Sequence, residues 1–140
     1  MIIFNEKEKN CLRTVIEWGE AREKHYHKYS HIISKKGKIK ELNKEESLII
    51  KQHEANTCKL ERFLNELDEK SILLLLTVAL IGSQPDGFPE MIYRERFEAA
   101  QRLVQSIGYK REHAIDTLKR PQVAENLLKG VQHLGNTFEY

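Results

Sequence analysis

The sequence predicts an all-α fold, a single compact domain of five or six helices around one buried apolar helix. Three observations carry this. The run Ile72-Leu73-Leu74-Leu75-Leu76-Thr77-Val78-Ala79-Leu80-Ile81 has threonine as its sole polar member, so a helix built from it has no polar face and must be surrounded by other elements. Asn5-Glu6-Lys7-Glu8 and Asn43-Lys44-Glu45-Glu46 both have the Asn-x-x-Glu form of a capping box. Elsewhere apolar residues recur at helical spacing, with no convincing strand alternation and no internal repeat.

The first helix should run from about Glu6 to about Tyr29, with Leu12, Val15, Ile16, Gly19 and Tyr26 on its inner face. Glu6, Arg13, Glu17, Glu20 and Lys24 form its solvated face, where Glu20 and Lys24 make a favourable i,i+4 pair. Trp18 is placed at the edge of the core stripe. From His25 to Lys40 the chain holds five lysines and no acid. Gly37 and the loss of period make this a basic loop at about 30–43, with a small hairpin between Ile32-Ile33 and Ile39 as the alternative.

A second helix is expected from about Lys44 to Leu67, carrying Ile49, His53, Asn56, Leu60, Phe63 and Leu64. Leu67 precedes Asp68, an N-cap whose carboxylate accepts from first-turn amides and suits the positive helix end. The core helix therefore begins after a sharp corner, and helices two and three are expected to form a tight pair. Its apolar run falls well short of the ~20 residues that span a bilayer. Charges precede it and Gly82-Ser83-Gln84-Pro85-Asp86-Gly87 follows, which argues against a membrane span.

Pro89 fits the first turn of a fourth helix, whose stripe of Tyr93, Phe97, Ala100, Val104 and Ile107 ends at Gly108, a natural C′ glycine. Glu90 with Arg94 and Glu98 with Arg102 give i,i+4 pairs on its exposed side. A short helix from about Arg111 to Leu118 follows. Pro121 should start the last one, with Val123, Ala124, Leu127, Leu128, Val131 and Leu134 inward and Gly135 closing it.

A chain of 140 residues fits one domain, 1–140, that can own a core. Hydrophobic content of 40% and charged content of 31% place it among globular proteins. With 23 Lys and Arg against 21 Asp and Glu, the net charge of +2 does not by itself imply a nucleic-acid or membrane partner. Cys11 and Cys58 lie far apart in helical patterns, too few for a disulfide scaffold, and read as reduced thiols. The amino terminus lacks the basic and long apolar regions of a signal peptide, so a cytoplasmic location is expected.

Three segments together resemble the bacterial domain-of-unknown-function family 3775. They are Asn5 to His25 with Glu20-Ala21-Arg22-Glu23, then Leu64-Asn65-Glu66-Leu67-Asp68-Glu69 leading to Leu80-Ile81-Gly82, and Ala114-Ile115-Asp116-Thr117-Leu118 with Pro121 to Gly130. The resemblance implies a small helical bacterial protein and carries no activity. The segment His25 to Glu46 departs from the family pattern in being basic.

Glu23, His27 and His31 fall at i, i+4 and i+8, which on a continuous helix sets a carboxylate and two imidazoles on one face, ligand types that zinc or nickel accept. The plainer account is a set of exposed residues near a helix end, where histidines also suit the dipole. His53-Glu54 opens like a zincin motif, but Thr57 stands where its second histidine would be. Lys28, Lys35, Lys36, Lys38 and Lys40 could neutralise phosphates while Tyr26 and Tyr29 offer stacking surfaces. A solvated basic loop explains the same residues. There is no nucleophile elbow, phosphate loop or dinucleotide fingerprint. The expectation is a non-enzymatic protein-binding or regulatory module without a cofactor, whose partner is another protein or a second copy. The alternatives are a nucleic-acid-binding accessory protein using the lysines and a metal-binding protein using the histidines.

Overall fold

The computed structural model describes residues 3–34, 43–84, 93–108 and 110–135. They form a single all-helical domain of six helices, with no strand among the described residues. In chain order these are α1 (Glu6–Ile33), α2 (Lys44–Glu66), α3 (Glu69–Ser83), α4 (Tyr93–Ile107), α5 (Arg111–Leu118) and α6 (Val123–His133). Pro85, Pro89 and Glu90, like Lys35, Lys36, Lys38 and Lys40, lie outside the described residues.

Both capping boxes close. Asn5 Oδ1 accepts from Glu8 N at 2.8 Å while Asn5 N donates to Glu8 Oε1 at 2.9 Å, and Asn43 with Glu46 repeats this at 2.8 and 3.4 Å. Asp68 caps α3 by accepting from Ser71 N at 2.8 Å. Its other oxygen takes a 2.5 Å bond from Lys7 Nζ, which ties the start of α3 to α1. The hydrogen bonds from Lys7 and Ser71 hold the Asp68 carboxyl far below the ordinary carboxylate range. Gly108 and Gly135 end α4 and α6 with φ of 66° and 80°, a backbone that glycine adopts without steric cost.

The apolar run is the core helix. Ile72, Leu75, Val78 and Ile81 of α3 are fully buried, as are Leu12 and Ile16 of α1, Leu64 of α2, Leu118 of α5 and Leu127 and Val131 of α6. Its enclosure is incomplete, however, since Leu76 and Leu80 stay partly exposed. The expected pairing of the second and third helices is also corrected. The main partner of α3 is α6, with α4 next, while α2 lies along α1. Glycine explains the preference: a Cβ on Gly82 would sit 1.6 Å from Asn126 O, and one on Gly130 would sit 2.1 Å from Val78 O. The two backbones approach each other more closely than any side chain would permit.

Two helix bounds differ from those expected. Residues 30–33, assigned to the start of the basic loop, are helical, because α1 continues past a break at Tyr29 (φ −122°, ψ 21°) and buries Ile33. This also excludes Ile32-Ile33 as a hairpin strand. The last helix starts at Val123, with Gln122 as N-cap, two residues after Pro121.

Helix carbonyls are closed by arginines from elsewhere in the fold. Arg111 Nη2 donates to Asn65 O at 2.9 Å and to Leu67 O at the end of α2, and its Nη1 meets Glu69 Oε1 at 2.9 Å. Arg96 Nη1 donates to His133 O at 2.7 Å, and Arg22 Nη2 donates to Lys119 O. Neither α2 nor α5 has a basic residue in its own last turn. The guanidinium that complements each negative end is therefore supplied across the tertiary structure.

Candidate functional site

Two concave regions gather the chain's chemistry. The first is a groove of about 510 Å³ between the ends of α3 and α4 and the corner joining α5 to α6. Leu76, Ala79 and Leu80 come from α3, Val104 and Ile107 from α4, and Val123 and Asn126 from α6. Ser83, Thr117, Arg120 and Gln122 are its polar lining. The groove exists because α4 covers α3 only in part. Of the α4 stripe expected to face inward, Ala100 alone is buried, Phe97 and Val104 are half-buried, and Ile107 is 74% exposed. Leu103, one turn before Ile107, is 44% exposed. Such a volume lies in the range of small-ligand pockets.

The second region is on the far side of the α5–α6 corner, where α1 meets α2. A hollow of about 290 Å³ is lined by Arg22, Glu23, Tyr26, His53, Thr57, Lys119 and Pro121. A neighbouring one of about 350 Å³ shares Glu23 and Pro121 and adds Glu20, His27 and Glu125. His27 Nε2 stands 3.7 Å from Glu23 Oε2. His31 is exposed beyond the break at Tyr29, which interrupts the helical rotation that the i, i+4, i+8 relation requires. Among the described residues no group of three His, Cys, Asp or Glu side chains could hold a metal ion. The set Glu23, His27 and His31 is thus not assembled; only Glu23 and His27 meet.

The aromatic residues expected to stack on bases are engaged with histidines. Tyr26 packs against His53 at 5.8 Å between ring centroids, and Tyr29 against His25 at 4.9 Å. The rings of His25 and His53 stack nearly parallel at 6.2 Å, linking α1 to α2. Lys28 Nζ lies 5.2 Å from the Tyr29 centroid. Tyr26 and Lys28 remain exposed. Trp18 occupies the core edge as expected, edge-on to Phe63 at 5.3 Å with Lys59 Nζ 4.3 Å from its ring.

No family model, no curated protein and no solved structure matches this chain.

Sequence reasoning missed Arg22 and Arg120. Arg22 is only 5% exposed although the surrounding α1 positions read as a solvated face. The signal available was its place one helical turn from the inward Gly19; Tyr26, expected on the same inner face, is instead 39% exposed. Arg120 sits between two helices in a Lys-Arg-Pro stretch that reads as an ordinary turn, and nothing local marks it as part of a groove. Both thiols are free, Cys11 buried and Cys58 exposed, and burial pushes the Cys11 thiol up to about 12. Among the described residues no helix is long and apolar enough to cross a membrane.

Proposed function

We propose that the chain is a non-enzymatic protein-binding module whose docking surface is the groove between α3, α4 and the α5–α6 corner. The observation that carries this is the incompletely covered α4 stripe, which leaves Ile107 74% exposed beside the partly buried Leu76 and Leu80. An amphipathic helix that lays two or three apolar anchors into the groove would cover these residues, the mode by which helices bind hydrophobic grooves. Arg120 at the groove asks for an acidic residue beside those anchors. A second copy of the chain is the simplest partner to test, because its own helices are amphipathic and acidic at intervals.

The free thiols support a reducing, cytoplasmic setting. The likeness to the domain-of-unknown-function family 3775 belongs to this proposal too. Two of its three segments end on Gly82 and Gly130, where α3 and α6 touch. The family reading thereby acquires a packing role and no chemistry.

Sedimentation over a concentration series separates the partner classes. Self-docking raises the mass from 16.4 kDa toward twice that value, and Ile107→Asp returns it to the monomer without lowering the melting temperature. A monomer at all concentrations points to a different protein. Salt-sensitive binding to oligonucleotides, insensitive to Ile107→Asp, would overturn the groove in favour of the lysine-rich segment.

A further inference from the structure

The hollow between α1, α2 and the α5–α6 corner sets a buried guanidinium, a carboxylate and an ammonium side by side in one lining. Arg22 has a side chain 6% exposed, yet among the described residues it donates a single hydrogen bond, from Nη2 to Lys119 O. A guanidinium has five N–H donors, and a buried charge is costly unless paired and hydrogen-bonded. Its neighbour Glu23, 21% exposed, offers Oε1 at 3.9 Å from Arg22 Nε, outside hydrogen-bond range. Burial lowers the Arg22 pKa, and the Glu23 charge opposes this. Lys119 adds a second cation to the lining, half-buried and only loosely paired, with Nζ 3.6 Å from Glu61 and 3.5 Å from Asp116.

A purely anionic ligand would meet repulsion from Glu23, and a purely cationic one from Arg22 and Lys119. With opposite charges about 4 Å apart in one lining, the complementary ligand carries both signs on neighbouring atoms. The ring pair of Tyr26 and His53 supplies an apolar surface for whatever side group the ligand bears. We propose that this hollow binds a small zwitterion, a free amino acid being the simplest member of the class, with its carboxylate on Arg22 and Lys119 and its ammonium on Glu23. The volume of about 290 Å³ suits a ligand of that size. This site is separate from the groove, so it stands whether or not a partner docks there.

The test is a titration of the full chain with L-leucine, acetate and ethylamine, followed by the ring-proton signals of Tyr26 and His53. Leucine should shift both rings saturably, more tightly than acetate, and ethylamine should not shift them. Arg22→Gln also removes the cap on α5, so the variants that carry the test are Lys119→Gln, whose melting curve should stay at the parent's, and Glu23→Gln, which takes the carboxylate from beside the buried guanidinium and should melt lower while staying folded at the temperature of the titration. Lys119→Gln should weaken leucine binding about tenfold. Glu23→Gln should reduce the advantage of leucine over acetate to what the leucine side chain gains on the Tyr26 and His53 rings. No saturable shift with leucine, or the same affinity for leucine in the parent and both variants, overturns the proposal.

Discussion

Gly82→Ala and Gly130→Ala set helix propensity against helix packing. Propensity alone favours alanine in a helix by about 1 kcal/mol. Packing opposes it, because the new methyl on Gly82 would lie 1.6 Å from Asn126 O and 2.6 Å from Asn126 C, and that on Gly130 would lie 2.1 Å from Val78 O. These are main-chain atoms and cannot rotate away. An ordinary carbon–oxygen contact is about 3.3 Å or more, so α3 and α6 must part by well over an ångström. A gap of ~0.5–1 Å already forfeits a quarter to a half of the dispersion attraction across it. The seam that would open includes Val78, Ile81, Leu127 and Val131, all fully buried. Overpacking costs about 1–3 kcal/mol, occasionally more. With a rigid backbone on both sides the net loss should be about 2 kcal/mol or more, a fall in Tm of about 6–10 °C for a chain of this size. Gly19→Ala is the internal comparison: its methyl would meet the Ala124 side chain at 2.9 Å, a gentler contact, and should cost less. Thermal and urea melts followed by circular dichroism supply the ranking. Variants at Gly82 and Gly130 that melt at or above the parent would refute the close crossing of α3 and α6.

Leu75→Ala, at a fully buried position, should cost about 2–5 kcal/mol, and Leu76→Ala distinctly less because Leu76 faces the groove; equal melts would contradict the orientation of α3. A thiol reagent should titrate one cysteine in the native state, the exposed Cys58, and both in denaturant. The stability held by the neutral Cys11 thiol is complete below pH about 9 and lost as pH rises toward the folded value of about 12, so Cys11→Ala should flatten the alkaline limb of the melting profile. Asp68 has a depressed folded pKa, so its contribution is present above pH about 4 and lost as pH falls through the folded value. Asp68→Asn should flatten the acid limb; an unchanged limb would show that the Lys7 and Ser71 bonds carry no weight.

Local chemistry made much of the fold legible. Asn5 with Glu8, Asn43 with Glu46, and Asp68 mark three helix starts because the side-chain acceptor and the amide that donates to it lie within one turn. Gly108 marks the end of α4 for the same reason, and α5 has the bounds its sequence suggests, Arg111–Leu118. What escaped depends on residues distant in sequence. Arg22, Arg96 and Arg111 look like members of solvated faces until α5, α6 and α2 bring carbonyl ends to them. Arg102, expected to pair with the Glu98 carboxylate, instead donates from Nε to the Glu98 carbonyl at 3.3 Å. The periodicity of α4 is that of a covered helix, and no sequence pattern records that its cover is partial. The i, i+4, i+8 spacing of Glu23, His27 and His31 assumes an unbroken helix, and the backbone at Tyr29 departs from helical geometry between His27 and His31.

A photoreactive side chain placed at Ile107 puts the docking groove to the most direct test. Ile107 is 74% exposed, so the replacement leaves the fold intact, and it lines the groove beside Val104 and Leu80. Irradiation in the native cells should yield one discrete protein adduct, reduced by Arg120→Glu in the same chain, and mass spectrometry of that adduct tells a second copy from another protein. The same reagent placed at the exposed Glu17, on α1 away from the groove, should give none. Equal or absent crosslinking at the two positions would contradict a docking surface at the ends of α3 and α4.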